Sequence, residues 1–255
     1  MIKKVFIQAV DLSNASQTYG EAITLLEKDT PISLLVWNAN KINPLELMKS
    51  LKKCAQQPHF LLLQEVGLYQ DNDRPFTYWD KHQWVMGKNL YLPRKKIFSG
   101  VKTGSNFNFD KFDIWHSQDQ EPFIKVPKVG VSSLHKIRND FKRLLVVNVH
   151  FLNFVRQTTF LKELNTLKSI IAGHSGPIII AGDFNTWSVF RYQSLIGFAQ
   201  KSNLNEVVFK EKNIHRFMRK QLSFVFTKNI KVLHASILKS ITLSDHYPML
   251  IQIKL

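Results

Sequence analysis

The chain has 255 residues, 44% of them hydrophobic and 12% aromatic, which supplies a large core and predicts a folded rather than a disordered chain. Its 35 Lys and Arg against 19 Asp and Glu give a formal net charge of +16, favouring nucleic acid, phosphorylated ligands or an anionic membrane surface, although self-repulsion for solubility gives the same sign. The lone Cys54 excludes an internal disulfide and reads as a small core residue, in agreement with a reducing compartment.

A short strand is expected over Lys4 to Val10. The basic, apolar start of the chain is interrupted by Gln8 and Asp11, so no signal peptide is expected. No window approaches the roughly 20 apolar residues of a membrane span, and a cytoplasmic monomer is anticipated. Ile32 to Trp37 is the first convincing strand, followed by Asn38. A helix comes next, with Asn43 as cap, Pro44 at its first position, and Leu45, Met48, Leu51 and Ala55 at helical spacing. Pro58 closes it. His59 to Leu63 forms a second buried strand ending in Gln64 and Glu65, and strand, helix, strand with a short return predicts parallel pairing.

From Val66 to Lys128 the pattern becomes irregular, with short strands expected around Trp84 to Met86 and Phe98 to Lys102 and a basic cluster at Arg94, Lys95 and Lys96. Val129 to Leu134 and Arg143 to Val149 read as an antiparallel pair, the second ending in His150. A helix carrying Phe160, Leu164, Leu167 and Ile171 on one face is stopped by Gly173 and Gly176. Ile178-Ile179-Ile180-Ala181 has the unbroken apolar character of a strand covered on both faces, and it runs into Gly182-Asp183-Phe184-Asn185. Tyr192 to Ser202 reads as a helix with Leu195, Ile196 and Ala199 inward. Strands are expected at Glu206 to Phe209, Leu222 to Phe226, Val232 to Leu238 and Pro248 to Ile253. No linker or repeat divides the chain, so residues 32–255 are read as one domain, with 1–31 as an N-terminal segment packed on it.

Apolar strands thus repeatedly end in residues able to bind a cation or a phosphate: Asn38, Glu65, His150, and Asp183 with Asn185, joined by Ser244-Asp245-His246 before the last strand. Hard cations such as Mg²⁺ take a few carboxylate and amide oxygens together with waters. Each residue alone has an ordinary reading: Asn38 as a turn former, Glu65 in a structural ion pair, His150 as a satisfied core histidine, Asp183 and Asn185 as helix caps. Five such coincidences in one chain are harder to assign to turn chemistry.

With Val36-Trp37-Asn38, Leu63-Gln64-Glu65, Asn148-Val149-His150, Gly182-Asp183-Phe184-Asn185 and Ser244-Asp245-His246-Tyr247-Pro248 in this order, the sequence resembles the endonuclease/exonuclease/phosphatase superfamily. From Arg143 onward, through His174-Ser175-Gly176-Pro177 and Ala181 to Asn185, it is similar to the bacterial YafD-type branch. The resemblance implies an α/β fold: a four-layer α/β sandwich of two mixed β-sheets packed face to face, with helices outside. It implies Mg²⁺, or Mn²⁺, held by Glu65, Asn38 and Asp245. It also implies that Asp183 activates water, Asn185 holds the scissile phosphate, His150 contacts a phosphate oxygen and His246 serves as general base or donor. Many relatives place an Asp beside that histidine, where this chain has Ser223. An uncharged partner there predicts a slowed enzyme or a histidine oriented by another acid.

Three functions compete on these grounds. A nuclease for DNA or RNA suits the net charge, with Arg94, Lys95, Lys96, Arg216 and Arg219 as substrate-binding residues alongside Lys210, Lys212 and Lys220. A phosphatase or phospholipase C-type hydrolase would act on inositol phosphates or sphingomyelin, with segment 66–128 reading the head group. A binding protein on a catalytically decayed scaffold is the third, motivated by Ser223.

Overall fold

A computed structural model of the protein describes residues 7–22, 24–40, 44–52, 57–70, 81–211 and 220–255. Among them, two sheets carry fourteen strands. The first sheet contains β1 (Gln8–Ala9), β2 (Ser16–Tyr19), β3 (Ile32–Asn38), β4 (Phe60–Tyr69), β5 (Gln83–Leu92), β6 (Ile97–Ser105), β13 (Lys231–Ile237) and β14 (Met249–Lys254). They lie in the order β1-β5-β6-β4-β3-β14-β13, with β2 also on β5. The second sheet contains β7 (Lys111–His116), β8 (Val129–Lys136), β9 (Arg143–His150), β10 (Ile178–Asp183), β11 (Asn205–Glu206) and β12 (Ser223–Lys228), in the order β11-β12-β10-β9-β8-β7. Each sheet is mixed and holds one parallel pair at its centre, β3 with β4 and β9 with β10.

Alternation along the strands creates the layers, because successive side chains leave a strand on opposite faces. Leu34, Val36, Phe60 and Leu62 meet Val146, Ile179, Ala181 and Val225 between the sheets. Leu35, Trp37, Leu61 and Leu63 point the other way and are covered by Leu47, Met48 and Leu51 of α1 (Pro44–Leu51). The outer face of the second sheet, with Val147, Ile178, Ile180, Phe224 and Phe226, is covered by Phe160, Leu164 and Leu167 of α2 (Gln157–Ile171) and by Leu195 and Ala199 of α3 (Val189–Lys201). The result is a four-layer α/β sandwich, helix on sheet on sheet on helix. All six residues of β10 are buried, and each of its isoleucines contributes about 2–3 kcal/mol through that burial. Among the described residues no helix is long and apolar enough to cross a membrane.

The expected irregular segment is instead highly ordered over its described part. β4 continues to Tyr69, β5 and β6 form a long antiparallel hairpin, and β7 follows. Polar and small residues such as Lys88, Asn89, Lys102 and Gly104 hid the strand period. They are where they are for packing: a Cβ on Gly104 would lie 2.4 Å from the Trp84 ring. At the other edge, the strand expected at Glu206 to Phe209 is reduced to Asn205–Glu206. Of the strand expected from Lys4, only Gln8–Ala9 pairs; Lys4 to Phe6, Asn43, Cys54 and Ala55 lie outside the described residues.

Candidate active site

The second sheet builds one wall from three strands in register. His150 ends β9 opposite Asp183, which ends β10, and Asp183 faces Ser223 at the start of β12. Gly182 makes this possible, since its φ is 141° and a Cβ there would lie 2.0 Å from Val149 O. Past the strand, Asp183 Oδ1 accepts the Asn185 N–H at 3.0 Å, a local turn that leaves Oδ2 at the centre of the site. Oδ2 accepts the Asn38 amide N–H at 2.9 Å and lies 3.6 Å from His246 Nε2 and 3.8 Å from His150 Nε2. Asn185, at a φ of 50°, donates through Nδ2 to Phe151 O at 2.8 Å; its amide carries a second N–H. Neither residue caps a helix, because Ser188 caps α3.

The first sheet builds the opposite wall differently. Asn38 ends β3 beside Gln64 of β4, but Glu65 is not a strand end. Pairing of β4 with β6 shifts register between Leu63 and Val66 and then resumes to Tyr69, with Glu65 at a φ of 51°. A bulge absorbs an extra residue without ending the ladder, and the left-handed conformation of a non-glycine costs about 1–2 kcal/mol. It separates two neighbours in function. Gln64 is fully buried and donates to Asn148 Oδ1 at 2.7 Å, tying the two sheets together, while Glu65 faces the cleft. Glu65 Oε1 lies 3.6 Å from His150 Nε2 and 3.9 Å from Lys128 Nζ.

The loop before β14 closes the site. Ser244 Oγ donates to Asn38 O at 2.8 Å and accepts the His246 N–H at 3.1 Å, and Trp37 Nε1 donates to His246 O at 2.9 Å. His246 Nδ1 lies 3.1 Å from Ser223 Oγ, so the serine occupies the orienting position on the ring.

Asn38, Glu65, His150, Asp183, Asn185, Asp245 and His246 converge on one open cleft of ≈ 330 Å³. Two residues that reading the strand ends missed also line it, Lys128 and Glu121, with Nζ 3.1 Å from Glu121 Oε1. Lys128 precedes β8, which runs antiparallel to β9, so a strand start rather than a strand end delivers it. Burial, then Lys128, push His150 down to about 4 against the opposing pull of Glu65 and Asp183. The rim is apolar and exposed: Phe123 is 85% and Phe154 56% accessible, with Trp187 6.0 Å behind Phe154. Arg94, Lys95 and Lys96 sit at the β5–β6 turn and none lines the cleft. Lys212, Arg216 and Arg219 lie outside the described residues.

Among the described residues no group of three or more His, Cys, Asp or Glu is arranged to hold a metal. The oxygens of Glu65 and Asn38, with Asp245 on the same cleft, fit a hard cation that keeps most of its waters better than one needing a full protein cage.

A family model, described as the Endonuclease/Exonuclease/phosphatase family, matches residues 35–246, the span from β3 to His246. The chain belongs to the endonuclease/exonuclease/phosphatase family. Its YafD-type branch is supported by proteins named UPF0294: one from Vibrio campbellii is 32% identical over 91% of this chain and 80% of its own length. One from Klebsiella pneumoniae is 34% identical over 90% and 84%. Solved structures share the fold at low identity. The human Nocturnin catalytic domain with a bound sulfate anion has a TM-score of 0.64 at 16% identity, covering 94% of this chain and 97% of that one. A Bacteroides thetaiotaomicron mannosyl-6-phosphatase has 0.66 at 13%, covering 88% and 100%. Membership makes the protein a hydrolase of the phosphodiesterase, nuclease or phosphatase type.

Proposed function

We propose that the protein is a Mg²⁺-dependent phosphodiester hydrolase acting on single-stranded nucleic acid. The observation that carries the reading is the position of Asp183 Oδ2 between Asn38, His150 and His246, on the floor of a cleft whose rim is aromatic. Asp183 takes the proton of an attacking water. Its amide donor Asn38 fixes the carboxylate that does so. His150 and the remaining Asn185 N–H donate to the phosphoryl oxygens, and as the water oxygen bonds to phosphorus His246 gives a proton to the leaving oxygen, whose bond to phosphorus breaks. Lys128 adds fixed positive charge close to Glu65. Mg²⁺ at Glu65 and Asn38, with Asp245 beside them, would supply neutralisation of phosphate charge. Mn²⁺ suits the same oxygen donors.

The rim selects among phosphodiesters. Exposed Phe123 and Phe154 offer faces for unpaired bases, and stacking contributes about 1–3 kcal/mol per base; a free sugar phosphate uses neither ring. The formal +16 favours a polyanion. A second reading is supported by the apolar run Pro122-Phe123-Ile124 beside Lys125, which suits an anionic bilayer and a phospholipid head group. Ser223 beside His246 supports slow turnover in either case. The test is a Mg²⁺-supplemented comparison of single-stranded DNA and RNA, duplex DNA, phosphoinositide vesicles and sphingomyelin vesicles, with Glu65→Ala as control. Cleavage of the single strands, absent in the control, is expected; turnover of lipid alone moves the assignment to the second reading, and no turnover of any substrate removes both.

A further inference from the structure

The side chain that ties the loops of the site together is on neither sheet. Arg191, in the first turn of α3, is 1% exposed, and its guanidinium donates to main-chain carbonyls. Nη1 donates to Asn185 O at 2.9 Å and Leu152 O at 3.2 Å, and Nη2 donates to Val155 O at 2.9 Å. The group lies 5.1 Å from the Phe160 ring centre and 4.7 Å from that of Trp187. A planar fork satisfies three divergent carbonyls in a way a lysine cannot. From α2, buried Glu163 holds the neighbouring peptide group of the same residue, accepting the Leu152 N–H at 3.1 and 3.2 Å.

Leu152 is therefore gripped at its N–H by Glu163 and at its C=O by Arg191. On one side of it stand Phe151, whose carbonyl takes the Asn185 side-chain amide, and His150. Glu163, Lys128 and His150 also line one small cavity of ≈ 20 Å³ behind the cleft, enough for about one water molecule. Stabilising the core asks for nothing this specific: burying a guanidinium is costly unless every donor is used. The returns are geometric, since one residue fixes the loop after β9 to the loop after β10.

We propose that Arg191 and Glu163 form a clamp on the backbone N–H and C=O of Leu152 that positions His150 and Asn185 relative to Asp183. Both are positioning residues, and neither lines the cleft itself. The proposal rests on the reading that His150 and Asn185 act in phosphodiester hydrolysis, so its test needs one readout that is independent of turnover.

That readout is the histidine ring signal of protein labelled with ¹⁵N-histidine, alongside kcat and KM for bis-p-nitrophenyl phosphate with Mg²⁺. Arg191→Lys is expected to lower kcat by about 10²-fold with KM within threefold, as a misplacement of about 1 Å does. It should shift or broaden the His150 ring signals and leave those of His135, which packs on Phe60 and Phe109, in place. Glu163→Gln, which keeps an acceptor for the Leu152 N–H, is expected to retain most of kcat, whereas Glu163→Leu repeats the Arg191→Lys pattern. If Arg191→Lys does not fold, the Glu163 pair gives the same comparison. Unmoved His150 signals with kcat within twofold in folded Arg191→Lys or Glu163→Leu, even with a lower Tm, would overturn the clamp and leave a purely structural ion cluster. A parent that hydrolyses nothing removes the proposed function, while the His150 signals still decide the clamp.

Discussion

The two parallel strand pairs at the centre of the sandwich deliver their polar residues in opposite ways. In the second sheet, β9 and β10 end level, and regular pairing, permitted by Gly182, places His150, Asp183 and Ser223 side by side. In the first, β3 ends at Asn38 but β4 continues for five residues past Gln64, to Tyr69, and a bulge at φ 51° turns Glu65 out of the ladder. One wall is held by the cooperative hydrogen bonding of a sheet interior. The other stores local strain, as functional positions often do. The difference matches the division of labour proposed for them: the regular wall handles protons and phosphate oxygens, and the strained wall presents a carboxylate to a cation.

Substitutions can separate the walls. The largest effect is expected from Asp183→Asn, which keeps the shape of the regular wall but removes the acceptor; kcat should fall by about 10³–10⁴-fold with the Mg²⁺ response unchanged. Glu65→Gln, on the strained wall, should instead move the Mg²⁺ midpoint upward by at least about tenfold and restore part of kcat at high Mg²⁺. Identical metal titrations for the two variants would erase the distinction between the walls. Ser223→Asp should raise kcat, measured on the same substrate, by about tenfold or more, recovering part of the ~10⁴ that an orienting acid contributes in comparable triads; no gain would show that His246 needs no charged partner here.

Smaller effects concern stability. Because Glu65 is left-handed, Glu65→Gly should be more stable than Glu65→Ala by about 1 kcal/mol in urea unfolding, an inversion of the order expected in an ordinary strand. Behind the regular wall, burial above all holds Glu163 up to about 8, against the Leu152 N–H and the charges of Arg191 and Lys128, with Asp119 adding to the rise. The unfolded chain releases that proton near the ordinary carboxyl value, so folding takes up a proton between the two. Stability should therefore fall as pH rises from about 5 to 8, by at most about 1.4 kcal/mol per pH unit. Thermal melts of Glu163→Gln should show a flatter profile over that window.

Much of this was legible in the sequence, and the failures have separate physical causes. The runs Ile32 to Trp37 and Ile178 to Ala181 announced strands covered on both faces, and their polar endings pointed to Asn38, Asp183 and Asn185. His150 was found the same way. Residues delivered by strand starts were not: Lys128 opens β8 and was missed, because antiparallel neighbours bring their beginnings to the edge where parallel strands end. Glu65 was found for a reason that proved incomplete, since a bulge has no compositional mark and the residue after Leu63 looked terminal. Long β5 and β6 were obscured where Lys102 and Gly104 interrupt the apolar period for packing reasons that only the opposing Trp84 explains. Arg191 carries no motif signal at all; its role comes from three carbonyls brought together by the loops around it.

The central claim is that both walls act on one phosphodiester, and the most direct measurement is cleavage of an end-labelled single-stranded oligonucleotide as a function of Mg²⁺ for the parent, Asp183→Asn and Glu65→Gln. Saturable Mg²⁺-dependent cleavage by the parent is predicted, with Asp183→Asn slowed by about 10³–10⁴-fold at every Mg²⁺ concentration and Glu65→Gln shifted to higher Mg²⁺. Cleavage that Asp183→Asn leaves undiminished, or that is unaffected by a chelator in the parent, would contradict it.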